Sequence, residues 1–149
     1  MKIKEQLYNQ CALFVEEKLQ TIKNKIQEIQ ESLTSETKSS AGDKHETGRA
    51  MLQLEREKIG QQLAGTQKLK EVLSKVDASK TSKTISLGSV IYTTQNNYFV
   101  AISAGELKID NISFYAISAN TPIGKLLLGK TVGDVFSFRE QAIKIKKVF

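Results

Sequence analysis

The chain has 149 residues, 40% hydrophobic and 26% charged, with a formal net charge of +6. That length allows one sizeable domain or two small units. No run of about 18 apolar residues exists, which excludes a membrane-spanning helix, and the start "MKIKEQLYNQ" lacks the apolar core of a secretion signal. A lone cysteine, Cys11, excludes an intramolecular disulfide, fits a reducing cytoplasm, and reads as a small packed residue beside Leu7, Phe14 and Val15.

The charge is unevenly placed. Residues 1–77 carry 13 Lys/Arg against 12 Asp/Glu, and residues 78–149 carry 9 against 4. A basic second half attracts phosphate or an acidic partner without sequence preference, and equally serves as a solvated surface. No aromatic ladder of the kind that stacks bases accompanies those lysines, so specific nucleic-acid binding is not expected.

Residues 4 to about 33 have helical periodicity. Val15, Leu19, Ile22, Ile26, Ile29 and Leu33 recur at steps of 4, 3, 4, 3 and 4, a heptad seam that predicts hairpin core. The segment "SLTSETKSSAGD" then loses apolar residues and predicts a turn. A second helix is expected from about Glu46 to Val76, with Met51, Leu52, Ile59, Leu63, Leu69, Leu73 and Val76 on its apolar side and Gly60 and Gly65 weakening it. Two such helices joined by a short polar turn pair antiparallel. At 1.5 Å per residue, arms of about 30 residues extend roughly 45 Å.

Beyond the polar linker "SKVDASKTSK", the runs "TISLGSVIYTT", "YFVAIS", "ISFYAIS", "VFSF" and "AIKIKKVF" read as strands. Gly88, "QNN", "AGELKIDN" and "VGD" read as the turns between them. One short helix is expected at "NTPIGKLLLGK", with Thr121 as N-cap, Pro122 at its first position and Gly129 in the left-handed C-terminal position. The predicted fold class is α+β: a helical hairpin (coiled coil) over 1–77, then a small, mostly antiparallel β-rich domain with one short helix over 78–149.

The stretch "TPIGKLLLGKTVGD", residues 121–134, resembles the signature of the Gre family of bacterial transcript-cleavage factors. Thr121, Pro122, Ile123, Leu127, Leu128, Gly129, Lys130, Gly133 and Asp134 match it in spacing. The order of parts is similar too, a helical hairpin followed by a domain that in the family is FKBP-like. Family members that stimulate cleavage carry an acidic tip, and "GDKHE" places Gly42, Asp43 and Glu46 in the same register. The tip departs from the family pattern at Arg49 and Ala50, where an acid and an aromatic are usual, and Lys44 and His45 lie beside the carboxylates.

The resemblance implies an accessory factor of RNA polymerase and not an enzyme. Its hairpin enters a polymerase channel and stimulates the polymerase's own cleavage of backtracked nascent RNA, with DNA nearby. Asp43 and Glu46 are the implied catalytic and metal residues. They would complete a weak Mg²⁺ site shared with the polymerase, since Mg²⁺ takes one or two carboxylates from a protein and keeps several waters. Thr121, Pro122, Ile123 and Gly124 are the implied docking surface. Without the family, Asp43-x-x-Glu46 reads as a capping box at a helix start, His45 as a solvated tip residue, and Arg49 as a partner for Glu46 or a contact to RNA or polymerase. A channel-occupying regulator that does not promote cleavage, and an FKBP-like isomerase or chaperone, are the alternatives.

Overall fold

The computed structural model describes residues 2–38 and 43–149, with side chains 36–46 outside the described set. Helix α1 spans Lys2–Lys38 and α2 spans Asp43–Ser74. Six strands follow, β1 Val90–Thr93, β2 Asn97–Ala101, β3 Gly105–Ile109, β4 Ile112–Ser118, β5 Val135–Phe138 and β6 Gln141–Val148, with α3, Pro122–Leu127, between β4 and β5. The protein is α+β, as expected. The chain forms two compact units: residues 15–69, and residues 1–14 with 70–149.

In the first unit the two helices pack along their seams. Ile22 and Ile29 of α1 are buried with Ile59 of α2, and Ile26, Leu33 and Leu63 pack against them. Fully burying one such side chain is worth about 1.5–3 kcal/mol, so a few layers supply most of what holds the pair together. The surface beside Ile22 and Ile59 is lined by Thr21, Lys25 and Glu28 from one helix and Gln62 from the other.

On α2 the buried face runs through Leu52, Arg56, Ile59, Leu63 and Thr66, which alternate in steps of 4 and 3. Met51, expected on the apolar side, is 60% exposed. It lies one residue, hence about 100°, from the seam that Leu52 occupies. Thr66 is 1% exposed and returns its hydroxyl to the Gln62 carbonyl at 2.9 Å, so a polar residue fills an apolar position without an unmet hydrogen bond.

The second unit contains the start of α1, the end of α2 and the sheet. The α1 seam continues upstream of Val15 through Cys11, Leu7 and Lys4, all buried. Gln10 donates from Nε2 to the Lys108 carbonyl of β3 at 3.0 Å, tying α1 to the sheet edge. The helix α2 ends at Ser74, and single turns at Lys75 and Val76 close it through carbonyls three residues back.

The sheet order is β3-β4-β2-β1-β6-β5; β2 and β4 are parallel and every other pair antiparallel. Ile91, Tyr98, Val100, Ile143 and Ile145 share one cluster with Ile85, Phe136 and, from α3, Ile123 and Leu127. Their neighbours along the strands, Val90, Phe99 and Phe114, are also fully buried, so the central strands are covered on both faces.

Two expectations for this unit need correction. Strand β3 lies inside "AGELKIDN", read above as a turn. Its pattern alternates, with Glu106 and Lys108 exposed and Leu107 and Ile109 buried, as an edge strand does. The turn is confined to Asp110 and Asn111, whose φ values of 50° and 66° make a two-residue hairpin loop. The first strand starts at Val90 and not near Thr84. Residues before it instead bond to the α3 exit, with Ile85 N–H donating to the Lys130 carbonyl at 2.8 Å and Gly129 N–H to the Ile85 carbonyl at 2.9 Å.

Candidate functional site

The two stretches that carry the resemblance fall in different units. Helix α1 ends at Lys38 and α2 begins at Asp43, so residues 39–42 join the two arms. Asp43 and Glu46 occupy the first turn of α2, three residues apart. Carboxylates in a first turn are favoured by the positive end of the helix dipole. The side chains of Asp43, Lys44, His45 and Glu46, and Gly42 itself, lie outside the described residues, as do any capping contacts they make.

The donor set fits a hard divalent cation in kind. Two carboxylates offer only oxygen, the ligand type Mg²⁺ takes, and two are too few to hold it without oxygens from elsewhere. Among the described residues no group of three or more His, Cys, Asp or Glu converges. Thr47 and Ala50 are exposed and Arg49 is half-buried one turn further along α2.

The second stretch is described in full. Thr121 caps α3, its Oγ1 accepting from Gly124 N–H at 3.1 Å and donating to the Ser118 carbonyl at 2.7 Å. Pro122 occupies the first helical turn, where its missing N–H has no cost. Ile123 and Leu127 enter the core cluster. Gly124 is pinned: a Cβ there would lie 2.3 Å from the Ser118 carbonyl oxygen. Of the four residues with an implied docking role, Pro122 alone is exposed; Thr121 is half-buried, and Ile123 and Gly124 are buried.

The rest of the stretch closes the helix and starts β5. Gly129 and Gly133 have φ of 82° and 92°, in the left-handed region that glycine adopts without strain. The Lys130 ammonium returns to the Leu126 carbonyl, supplying a cation at the helix C-terminus. Asp134 accepts from Thr131 N–H through its carboxylate at 2.9 Å. Ser118 is the residue that sequence reasoning missed: its carbonyl anchors the cap and forbids a side chain at 124, and a backbone oxygen has no sequence signal.

Within the sheet-bearing unit, β6 and the β5–β6 loop carry exposed cations. Lys147 lies over the Tyr92 and Phe149 rings at 5.8 and 5.1 Å, and Arg139 over Phe138 at 5.0 Å. Lys144 and Lys146 alternate outward along β6. No helix among the described residues is long and apolar enough to cross a membrane. Compared with protein-family models and with curated proteins, the chain has no match.

Proposed function

We propose that this protein is a cytoplasmic accessory factor of bacterial RNA polymerase that rescues backtracked complexes by stimulating the polymerase's own RNA cleavage. The observation that carries the reading is the placement of Asp43 and Glu46 in the first turn after the junction of two long packed helices. The 121–134 stretch, similar to the Gre signature, supports it. The partner is the polymerase, with the nascent RNA 3′ end and nearby DNA at the hairpin end.

On this reading the chain holds no complete active site. When bound, a second Mg²⁺ would share the charge on the attacking oxygen of a phosphodiester hydrolysis. One carboxylate of the Asp43–Glu46 pair would supply an oxygen ligand, and the other would accept a proton from, or orient, the attacking water. The arms of the helical unit, residues 15–38 and 43–69, extend about 35–40 Å at 1.5 Å per residue. A pair of helices is narrow enough to enter a channel closed to a globular domain.

A second reading, a regulator that occupies the channel without promoting cleavage, is favoured by Arg49 and Ala50 in place of the acid and aromatic of the family pattern. An isomerase reading is weaker, because it needs an aromatic-lined pocket. Phe99 and Phe114 are instead fully buried and Tyr98 and Phe136 pack in the core. The deciding experiment uses a backtracked elongation complex of the cognate polymerase with Mg²⁺. Cleavage accelerated by the wild type and lost in Asp43→Ala and Glu46→Ala supports the first reading. Binding without acceleration moves the protein to the second, and no binding removes both.

A further inference from the structure

We infer that the sheet-bearing unit holds an anion site, separate from the hairpin end, in which a small phosphate-bearing anion docks on the Lys4 ammonium. Lys4 sits where the α1 seam calls for an apolar residue, one turn before Leu7, and is 3% exposed. It lines a cleft of about 230 Å³ together with Lys75, Asp77, Lys80, Ser86 and Ser89. Its Nζ donates to the Lys80 carbonyl at 2.7 Å, its one hydrogen bond among the described residues. An ammonium has three N–H donors, so two are left for a ligand in the cleft.

The neighbouring charges do not complete this group. Asp77 attracts Lys4 from a distance, but its carboxylate already accepts from Ser79 N–H at 2.9 Å and Ser79 Oγ at 2.5 Å. Lys80 approaches Asp77, and Lys75 approaches Glu71, only to 4.0 Å, both in exposed and therefore weak pairs. Lining the cleft are thus three cations and one carboxylate. Burial lowers the Lys4 pKa from its ordinary value, with the Asp77 charge opposing.

A buried, under-bonded cation is costly unless a partner completes its hydrogen bonds. The cleft has room for about seven or eight waters at roughly 30 Å³ each, which suits a phosphate group with a small organic body. Separate phosphate oxygens can accept from the free N–H donors, and the group brings the negative charge the lysines lack. The site includes neither Asp43 nor Glu46 and requires no polymerase binding.

The test titrates the full chain with orthophosphate, and in a second arm with glycerol 3-phosphate, against chloride at matched ionic strength near neutral pH. Backbone-amide NMR follows Ser86, Gly88 and Ser89, and thermal unfolding follows stability. The expected result is saturable amide shifts and a melting temperature that climbs with phosphate concentration. Lys4→Met, which keeps length and packing, weakens binding at least about tenfold. Lys80→Gln, at an exposed position, weakens it about threefold. Tighter binding of glycerol 3-phosphate than of orthophosphate makes the ligand a phosphomonoester; the reverse order makes it the free anion. Shifts no larger than those of chloride, or affinity unchanged in Lys4→Met, overturn the site. If Lys4→Met does not fold, unchanged affinity in Lys80→Gln combined with Lys75→Gln overturns it equally.

Discussion

Gly124→Ala adds one methyl group to α3, and the structure makes its effect large. The new Cβ would lie 2.3 Å from the Ser118 carbonyl oxygen, 2.9 Å from Thr121 Oγ1 and 3.1 Å from the Ala119 carbonyl carbon. Two of these three neighbours are backbone, which cannot rotate away as a side chain can. Relief requires α3 to move off the β4 exit. That movement breaks the Gly124 N–H to Thr121 Oγ1 cap and the Thr121 Oγ1 to Ser118 bond. It also draws Ile123 and Leu127 out of a cluster in which they are 9% and 0% exposed. Loss of a cap costs about 1 kcal/mol and overpacking typically 1–3 kcal/mol, so the expected destabilisation is about 2–4 kcal/mol.

Gly65→Ala provides the opposite control. Gly65 lies inside α2 with nothing within 4 Å of a Cβ, and alanine there should stabilise by about 0.5–1 kcal/mol. The assay is urea denaturation of both variants followed by far-UV circular dichroism, with melting temperature as a check. A domain of this size shifts by about 4–8 °C per kcal/mol, so Gly124→Ala should lose at least about 8 °C. A loss below 1 kcal/mol for Gly124→Ala, or a shift in the same direction for both variants, would refute the claim that close backbone approach fixes glycine at 124.

Arg139 and Glu140 form the two-residue loop between β5 and β6 with φ of 53° and 66°, a conformation that costs an L-residue about 1–2 kcal/mol. Glu140→Gly should therefore raise stability by about 1 kcal/mol in the same denaturation assay, whereas Asn111→Gly in the β3–β4 loop should gain less, because asparagine tolerates that conformation. Cys11 is fully buried and its thiol is pushed up to about 12 by that burial. Because the thiolate is the reactive form, native protein should resist iodoacetamide at mildly alkaline pH and label readily only in denaturant; fast native labelling would contradict the packing described for the α1 seam. In the backtracked-complex assay, Asp43→Ala and Glu46→Ala should each abolish accelerated cleavage, while Thr47→Ala, an exposed neighbour, should leave it intact.

The sequence alone determined the α+β class, because its helical apolar period gives way near residue 84 to short β-branched and aromatic runs separated by turn residues. It also determined the α3 ends, since Thr121 caps through its own side chain, Pro122 needs no N–H in the first turn and Gly129 takes the left-handed φ that ends a helix. The acidic pair at 43 and 46 was legible as a motif, but the helix bounds were not: α1 runs on to Lys38 through a segment read as turn, and α2 begins at Asp43 and not near Glu46.

What depends on distant contacts was not legible. Strand β3 looks like a turn in isolation, because Gly105, Glu106 and Lys108 have low strand propensity; pairing with β4 decides its conformation. The burial of Lys4 and Thr66 in helical seams, and the exposure of Met51, depend on which face the opposing element covers. The requirement for glycine at 124 comes from a carbonyl six residues away, brought close by the fold of the β4–α3 corner. Local chemistry is written in residue types, whereas the approach of one backbone to another exists only once the chain has closed on itself.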